Sequence, residues 1–258
     1  MTTPPVHRKH RPDAPSGFFE CEAAGLRWLA DAAAVPVVRV LDVRPDALVL
    51  ERLTSAPPDR RAARALGEGL AHLHAAGAPA FGAPPAGWDG DGFFGPLDEP
   101  LPLLHGAHER WGDAVADLRV EQLRTLLRAR SRLSPALDAD LARVADHLRS
   151  GRWADDEPPA RVHGDLWSGN VMWTPDGAVL IDPAAHGGHP LTDLAMLHLF
   201  GPPHLDDVVA GYVSVHPPPA GWQDLLGLHQ LYPVGMHAVL FGGGYVAQLT
   251  RLAAACAA

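Results

Sequence analysis

Apolar residues recur three or four positions apart over several stretches of this chain. Residues 18–30 carry Phe19, Ala23, Leu26 and Ala30 in that spacing, which predicts a helix. Arg60–Ala76 repeats the pattern with Ala62, Leu66, Leu70 and Leu73, and Gly77 stands past its end as a stop. Two more helices are predicted near 107–130 and over 135–149. The second opens on Ser134 as N-cap and Pro135 in the first turn, with Leu137, Leu141, Val144 and Leu148 as its stripe. Short apolar runs at Val37–Leu41 and Ala47–Leu50, around Arg44-Pro45-Asp46, predict two strands and a turn. Val6–Lys9 reads as a short strand ending in Lys9. Thr54–Asp59 is a Pro-containing connection, and the Gly- and Pro-rich residues 77–106 are expected to form a long structured loop. The apolar run Ala238–Ala247 is too short for a membrane span, is interrupted by Gly242-Gly243-Gly244, and predicts a packed helical segment.

The period changes in one segment. Val171–Trp173 and Ala178–Ile181 are apolar runs separated by Thr174-Pro175-Asp176-Gly177, a turn sequence, so they predict a β-hairpin. A hairpin returns the chain to its start, which sets Asn170 and Asp182 side by side at the open end. Their oxygens suit one hard cation such as Mg²⁺, which takes a few protein oxygens together with substrate phosphates. Asp165, five residues before Asn170, lies on the loop entering the hairpin and faces the same spot. Three roles follow: Asp165 accepts the proton of an attacking hydroxyl, while Asn170 and Asp182 hold a metal that bridges nucleotide phosphates. Phosphoryl transfer needs this division of labour, because it depends on positioning and charge neutralisation. A second constellation lies upstream. Glu22 falls on the apolar stripe of the first helix, in line with Leu26 and Leu29, where a carboxylate needs a cation. Lys9 is its natural partner, and a lysine held this way grips phosphates.

Composition narrows the classes. A chain of 258 residues suffices for one large domain or two small ones. A net charge of −9 argues against nucleic-acid binding, so any anionic ligand must be held locally. Two cysteines, Cys21 and Cys256, provide neither a disulfide framework nor a thiolate zinc site. The N-terminus has no apolar signal-peptide core, and a cytoplasmic location without membrane attachment is expected. His186 and His189 resemble a metal pair by type, but no third ligand accompanies them.

The motifs together resemble a known family. His163-Gly164-Asp165-Leu166-Trp167-Ser168-Gly169-Asn170 and Ile181-Asp182-Pro183-Ala184 are similar to the catalytic and metal motifs of the fructosamine-3-kinase (ketosamine kinase) family, related to aminoglycoside and choline kinases. Phe18–Leu26 resembles the family's helix bearing the lysine-pairing glutamate. Leu48–Leu53 resembles its hinge strand, which implies adenine contacts from the backbone of Leu50, Glu51 and Arg52. His186–His189, Asp193–Met196 and Phe241–Tyr245 extend the likeness along nearly the whole chain.

The resemblance implies an α+β, bilobal protein-kinase-like fold. Residues 1–53 would form part of a small β-containing lobe and residues 54–258 a helical lobe. It further implies ATP and Mg²⁺ as cofactors, and phosphorylation of the 3-hydroxyl of ketosamines, free or on glycated protein. Trp167 either stacks on the sugar or packs the catalytic loop. By analogy with kinases, His163 braces the loop and Asp193 bonds its backbone. Family members carry a Gly-containing phosphate loop ahead of the lysine strand, whereas eight residues precede Lys9 here. A start codon set too late is the expected reason, with a naturally reduced member as the other. Two further readings stay open: a kinase for another small hydroxylated amine such as an aminoglycoside, and a nucleotide-poor pseudokinase.

Overall fold

The computed structural model describes residues 5–258. Strand β1 (Val6–His10) leads to helix α1 (Phe18–Ala30), then to β2 (Val40–Arg44) and β3 (Ala47–Glu51). The three strands form one antiparallel sheet in the order β1-β3-β2. Phe19, Ala23 and Leu26 of α1 pack on Leu48 and Leu50 of β3, so the helix stripe covers one face of the sheet.

The strand expected over Val37–Leu41 lies three residues later. The cause is a competing partner. Val38 N–H donates to Leu180 O at 3.0 Å, and Leu180 N–H donates to Pro36 O at 2.9 Å. The segment thus joins a distant hairpin and ties the N-terminal sheet to it.

Helix α2 (Arg60–Ala75) is capped by Asp59, which accepts from Ala62 N–H at 2.8 Å. It packs against α7 (Leu205–Val215) through two glycines. A Cβ on Gly67 would sit 1.9 Å from Val208 O, and one on Gly211 would sit 2.1 Å from Arg64 O. Close backbone approach is what these glycines permit. The expected long loop after α2 contains a small hairpin, β4 (Gly92–Phe94) and β5 (Leu101–Leu103).

The helix predicted near 107–130 is a composite. It consists of α3 (Trp111–Val115), a π-helical turn over Ala116–Val120, and α4 (Glu121–Ala129). Helix α5 (Pro135–Ser150) follows with Ser134 as its N-cap, accepting from Leu137 N–H. The apolar run near the C-terminus is divided at Gly242 and Gly243 between α8 (Leu226–Phe241) and α9 (Gly244–Ala257). Helices α4, α5, α8 and α9 enclose the largest apolar core. No helix among the described residues is long and apolar enough to cross a membrane.

Between α5 and α8 the chain builds three short structures. Strand β6 (Ala160–Val162) pairs with β9 (His186–Gly188), and β7 (Val171–Thr174) pairs with β8 (Gly177–Leu180) as a hairpin around Pro175-Asp176. Helix α6 (Pro190–Leu199) then runs beneath them.

Candidate active site

The loop between β6 and β7 is fixed from behind by one buried carboxylate. Asp193, in the first turn of α6 and fully buried, accepts from His163 N–H at 2.8 Å and Gly164 N–H at 2.9 Å. His74 of α2 reaches the same carboxylate through Nε2 at 3.1 Å and bonds the Tyr212 hydroxyl through Nδ1 at 2.8 Å. Burial by itself would push the Asp193 carboxyl up. The His74 bond and the two backbone donors outweigh it and hold the group below its ordinary value. Gly164 has φ +82°, and a Cβ there would meet Ala184 O at 2.2 Å, so only glycine fits this turn.

His163 completes the brace. Its Nε2 donates to Ile181 O at 2.9 Å, while Nδ1 accepts from Asp165 N–H at 3.3 Å. Both bonds are satisfied by one neutral tautomer, and burial holds the ring below its usual pKa.

Asn170 and Asp182 flank the hairpin ends. Asn170 Nδ2 donates to Asp165 O at 2.8 Å, Asp165 Oδ2 at 3.2 Å and Asp182 O at 3.2 Å. The three residues therefore meet at one point. Asp182 adopts φ +54°, a left-handed conformation uncommon for a non-glycine residue and often found at functional positions. Burial pushes the Asp165 carboxyl up to about 7, and the charge of Asp182 adds to the push, against the Asn170 bond.

Lys9 closes the arrangement from the sheet. Its Nζ lies 2.7 Å from Glu22 Oε1 and 2.8 Å from Asp182 Oδ1. The contact with Asp182 has no counterpart in the sequence reading, which paired Lys9 with Glu22 alone. Burial opposes the charge on Lys9, but the two carboxylates outweigh it and hold the ammonium above its ordinary pKa.

These residues line a cleft of about 350 Å³, together with Cys21, Phe93, His105, His237 and Phe241, none of which sequence reasoning singled out as a site residue. Trp167 lines it as well and is 40% exposed. Its indole lies over Gly169, where a Cβ would fall 2.3 Å from the ring. Phe200 meets Trp167 edge-on at 6.5 Å. Leu50, Glu51 and Arg52 are not brought to this cleft. Leu50 is buried in the sheet core, Glu51 N–H donates to Arg39 O, and Arg52 N–H donates to Pro5 O. The backbone donors of Glu51 and Arg52 are thus already spent within the protein.

A metal fits the donor set in a limited way. No group of three His, Cys, Asp or Glu side chains gathers for a cation among the described residues. Mg²⁺ shared with substrate phosphates needs only one or two carboxylates. Asn170 commits its amide nitrogen to Asp165 and to the Asp182 backbone carbonyl, which leaves its carbonyl oxygen free as a hard donor, and the Asp182 carboxylate is the second oxygen ligand the site offers.

The chain has counterparts among known proteins. The chain is 34% identical over 245 residues to the probable ketoamine kinase slr1563 of Synechocystis sp., covering 93% of this chain and 78% of that protein. It superposes on a Thermobifida fusca protein assigned as a fructosamine-3-kinase with a TM-score of 0.89 and 42% identity, covering 98% of this chain and 85% of that one. A variant of aminoglycoside phosphotransferase APH(4)-Ia, solved with ADP and hygromycin B, matches with a TM-score of 0.57. It is 19% identical, covers 94% of this chain and 82% of that one, and shares the fold alone. The fold is therefore α+β and kinase-like, and the chain is a phosphotransferase. The fructosamine kinase profile matches residues 6–258, and with those relatives it shows that this chain belongs to the fructosamine kinase family.

Proposed function

We propose that this protein phosphorylates the 3-hydroxyl of ketosamines, sugar adducts on free amines or on protein lysines, with Mg-ATP as donor. The observation that carries the reading is the meeting of Asp165, Asn170 and Asp182 within hydrogen-bond distance, in a cleft that also holds Lys9. Asp165 accepts the proton of the attacking hydroxyl. Its raised pKa favours that role, because a base near neutrality matches proton affinity to the task. Asn170 and Asp182 would hold Mg²⁺, which supplies charge neutralisation at the phosphates when bound. Lys9 binds phosphate oxygens, and Glu22 positions Lys9.

Adenine would bind along the outer end of β3, at Leu50–Arg52. Leu53 N–H, which has no protein acceptor among the described residues, is the backbone donor left there. The division between lobes falls after Leu53. The relatives support the ketosamine acceptor, being named ketoamine kinases or assigned as a fructosamine-3-kinase. The ADP-bound kinase-like neighbour supports the nucleotide.

The test is incubation with Mg-ATP and fructoselysine, followed by ³¹P and ¹³C spectra that locate the new ester. Phosphate on the sugar 3-oxygen is expected, and it should be lost in Asp165→Asn. Phosphorylation of an aminoglycoside panel with fructoselysine left untouched would overturn the acceptor assignment. Equal turnover by Asp165→Asn and wild type would overturn the base.

A further inference from the structure

Arg119 is the anomaly outside the catalytic cleft. It sits on the π-helical turn Ala116–Val120 and is only 6% exposed. Single π turns are rare and frequently mark functional positions. A guanidinium cannot shed its proton at accessible pH, so a buried one needs an anion or a full set of acceptors. Arg119 has neither among the described residues. Nη1 donates to Leu104 O at 2.6 Å and to Leu118 O at 3.3 Å, and the guanidinium carbon lies 5.2 Å from the Tyr232 ring centre. Among the described residues Nε and Nη2 meet no protein acceptor, and no carboxylate forms an ion pair with it.

Among the described residues no carboxylate touches Arg119; Asp91 acts on its charge only from a distance. Tyr232 is held as a phenol, burial pushing it up to about 12, and its hydroxyl donates to Gln122 Oε1 at 3.1 Å. Asp91 is occupied by His105 N–H at 2.9 Å. His105 and His186 are held neutral by burial, and the charge of Arg119 pushes both further down. Arg119 lines a cavity of about 60 Å³ together with Trp111, Thr192, His186 and His229. One water needs about 10–15 Å³ of such space, so the cavity holds a single small ion with a few waters. Its walls are mainly apolar, which suits a weakly hydrated monovalent anion and not a phosphate, whose several charges would face one cation.

We propose that this cavity is a site for a single halide-class anion, bound by the free edge of the Arg119 guanidinium. Gly164, the residue before Asp165, forms part of the same wall, so the anion sits directly behind the catalytic turn.

The test uses the full chain in halide-free gluconate buffer at fixed ionic strength. Replacing gluconate by chloride or bromide should raise the thermal midpoint of the wild type saturably, since a ligand that binds only the folded state stabilises it by mass action. Arg119→Met should show no such rise. In gluconate alone it should be at least as stable as wild type, because it removes an uncompensated buried charge. Independently, the ³⁵Cl resonance should broaden with wild-type protein and sharpen again on adding excess bromide. That measurement decides the matter if Arg119→Met does not fold. Equal midpoints in gluconate and chloride, with no ³⁵Cl broadening, would show that water alone fills the cavity and overturn the site. So would an Arg119→Met protein that responds to chloride as the wild type does.

Discussion

The two halves of the catalytic cleft are held by different forces. On the hairpin side, Asp165, Asn170 and Asp182 are fixed by a chain of hydrogen bonds that runs back to a fully buried carboxylate, Asp193. The Asp193 end of that chain is buried away from water and the links beyond it are all made within the protein, so its geometry is set before any ligand arrives. On the sheet side, Lys9 stands on β1, an edge strand, and is placed by ion pairs with Glu22 and with Asp182, whose side chain is 41% exposed. An ion pair has little directional preference and is partly screened at such a position. One half is therefore preorganised and the other adjustable. The division fits the proposed phosphoryl transfer, in which the base and metal ligands would have to stay in place while the lysine follows the phosphates as they arrive and leave. The Lys9–Asp182 contact sharpens the point. Lys9 pairs with the carboxylate of Asp182 that would hold a metal, so nucleotide loading should shift Lys9 from Asp182 towards the phosphates.

The largest effect should come from the rigid half. Asp165→Asn should lower kcat by about 10²–10⁴-fold, the usual contribution of a positioned base, with little change in Tm. A loss of stability on the same scale would mean that Asp165 serves the scaffold and not the chemistry. Next is Asp193→Asn. It keeps one acceptor oxygen and turns the other into an NH2 donor, so at least one of the His163 and Gly164 amides faces a donor and His74 loses the negative charge beside it; the cost should be about 3 kcal/mol in urea unfolding. The folded pKa of Asp193 lies below the ordinary carboxylate value, so its contribution is fully present above about pH 4 and is lost as pH falls through the folded value. The asparagine variant should accordingly show a flatter stability curve on that acid limb.

Lys9→Met tests the adjustable half. It strands Glu22, only 10% exposed, without its cation and should cost about 1–3 kcal/mol, together with a raised KM for ATP. A cost equal to that of Asp193→Asn would break the comparison, because Lys9 would then be as structural as the hairpin brace.

How much of this was legible before the structure depended on sequence distance. The hairpin was, since Pro175-Asp176-Gly177 fixes its turn and a hairpin brings Asn170 to Asp182 without further information. So was the Lys9–Glu22 pair, because a carboxylate on the α1 stripe demands a cation. His74 left a weaker trace: it falls on the α2 stripe after Leu66 and Leu70, four residues beyond the latter. Nothing local pointed to its partners, Asp193 and Tyr212, which lie 119 and 138 residues away. The joining of Pro36–Val38 to β8 was hidden for the same reason, and strand propensity alone put β2 three residues too early. The β4–β5 hairpin was obscured by the Gly and Pro content of its surroundings. Leu50–Arg52 show the limit of likeness. Leu50 and Glu51 end the central strand of the sheet and Arg52 lies just past it, yet the backbone donors of Glu51 and Arg52 are used internally.

The smallest predicted effect separates the two halves by pH. His163 and His186 flank the catalytic turn and are buried neutral, His186 being held at about 3 by burial and by the charge of Arg119. Protonation in the unfolded chain begins near 6.5, so below that pH the unfolded state binds more protons and the folded state loses ground. The loss is at most about 1.4 kcal/mol per pH unit for each such histidine. Lys9 holds its proton throughout this range, since its pKa is raised above an already basic value. Asp165 works the other way, because its folded pKa of about 7 lies above the ordinary carboxylate value and the folded state takes up its proton over the same range, offsetting about one of the two histidines. Acidification from pH 6.5 to 5.5 should therefore loosen the hairpin side first, by the remaining histidine's share. Hydrogen exchange, corrected for the intrinsic pH dependence of the amide reaction, should show protection falling for the amides of β7 and β8 while the β1–β3 ladder keeps its own. Earlier loss at β1–β3 would mean that the sheet and its ion pairs, and not the buried histidines, set the acid weakness of the fold.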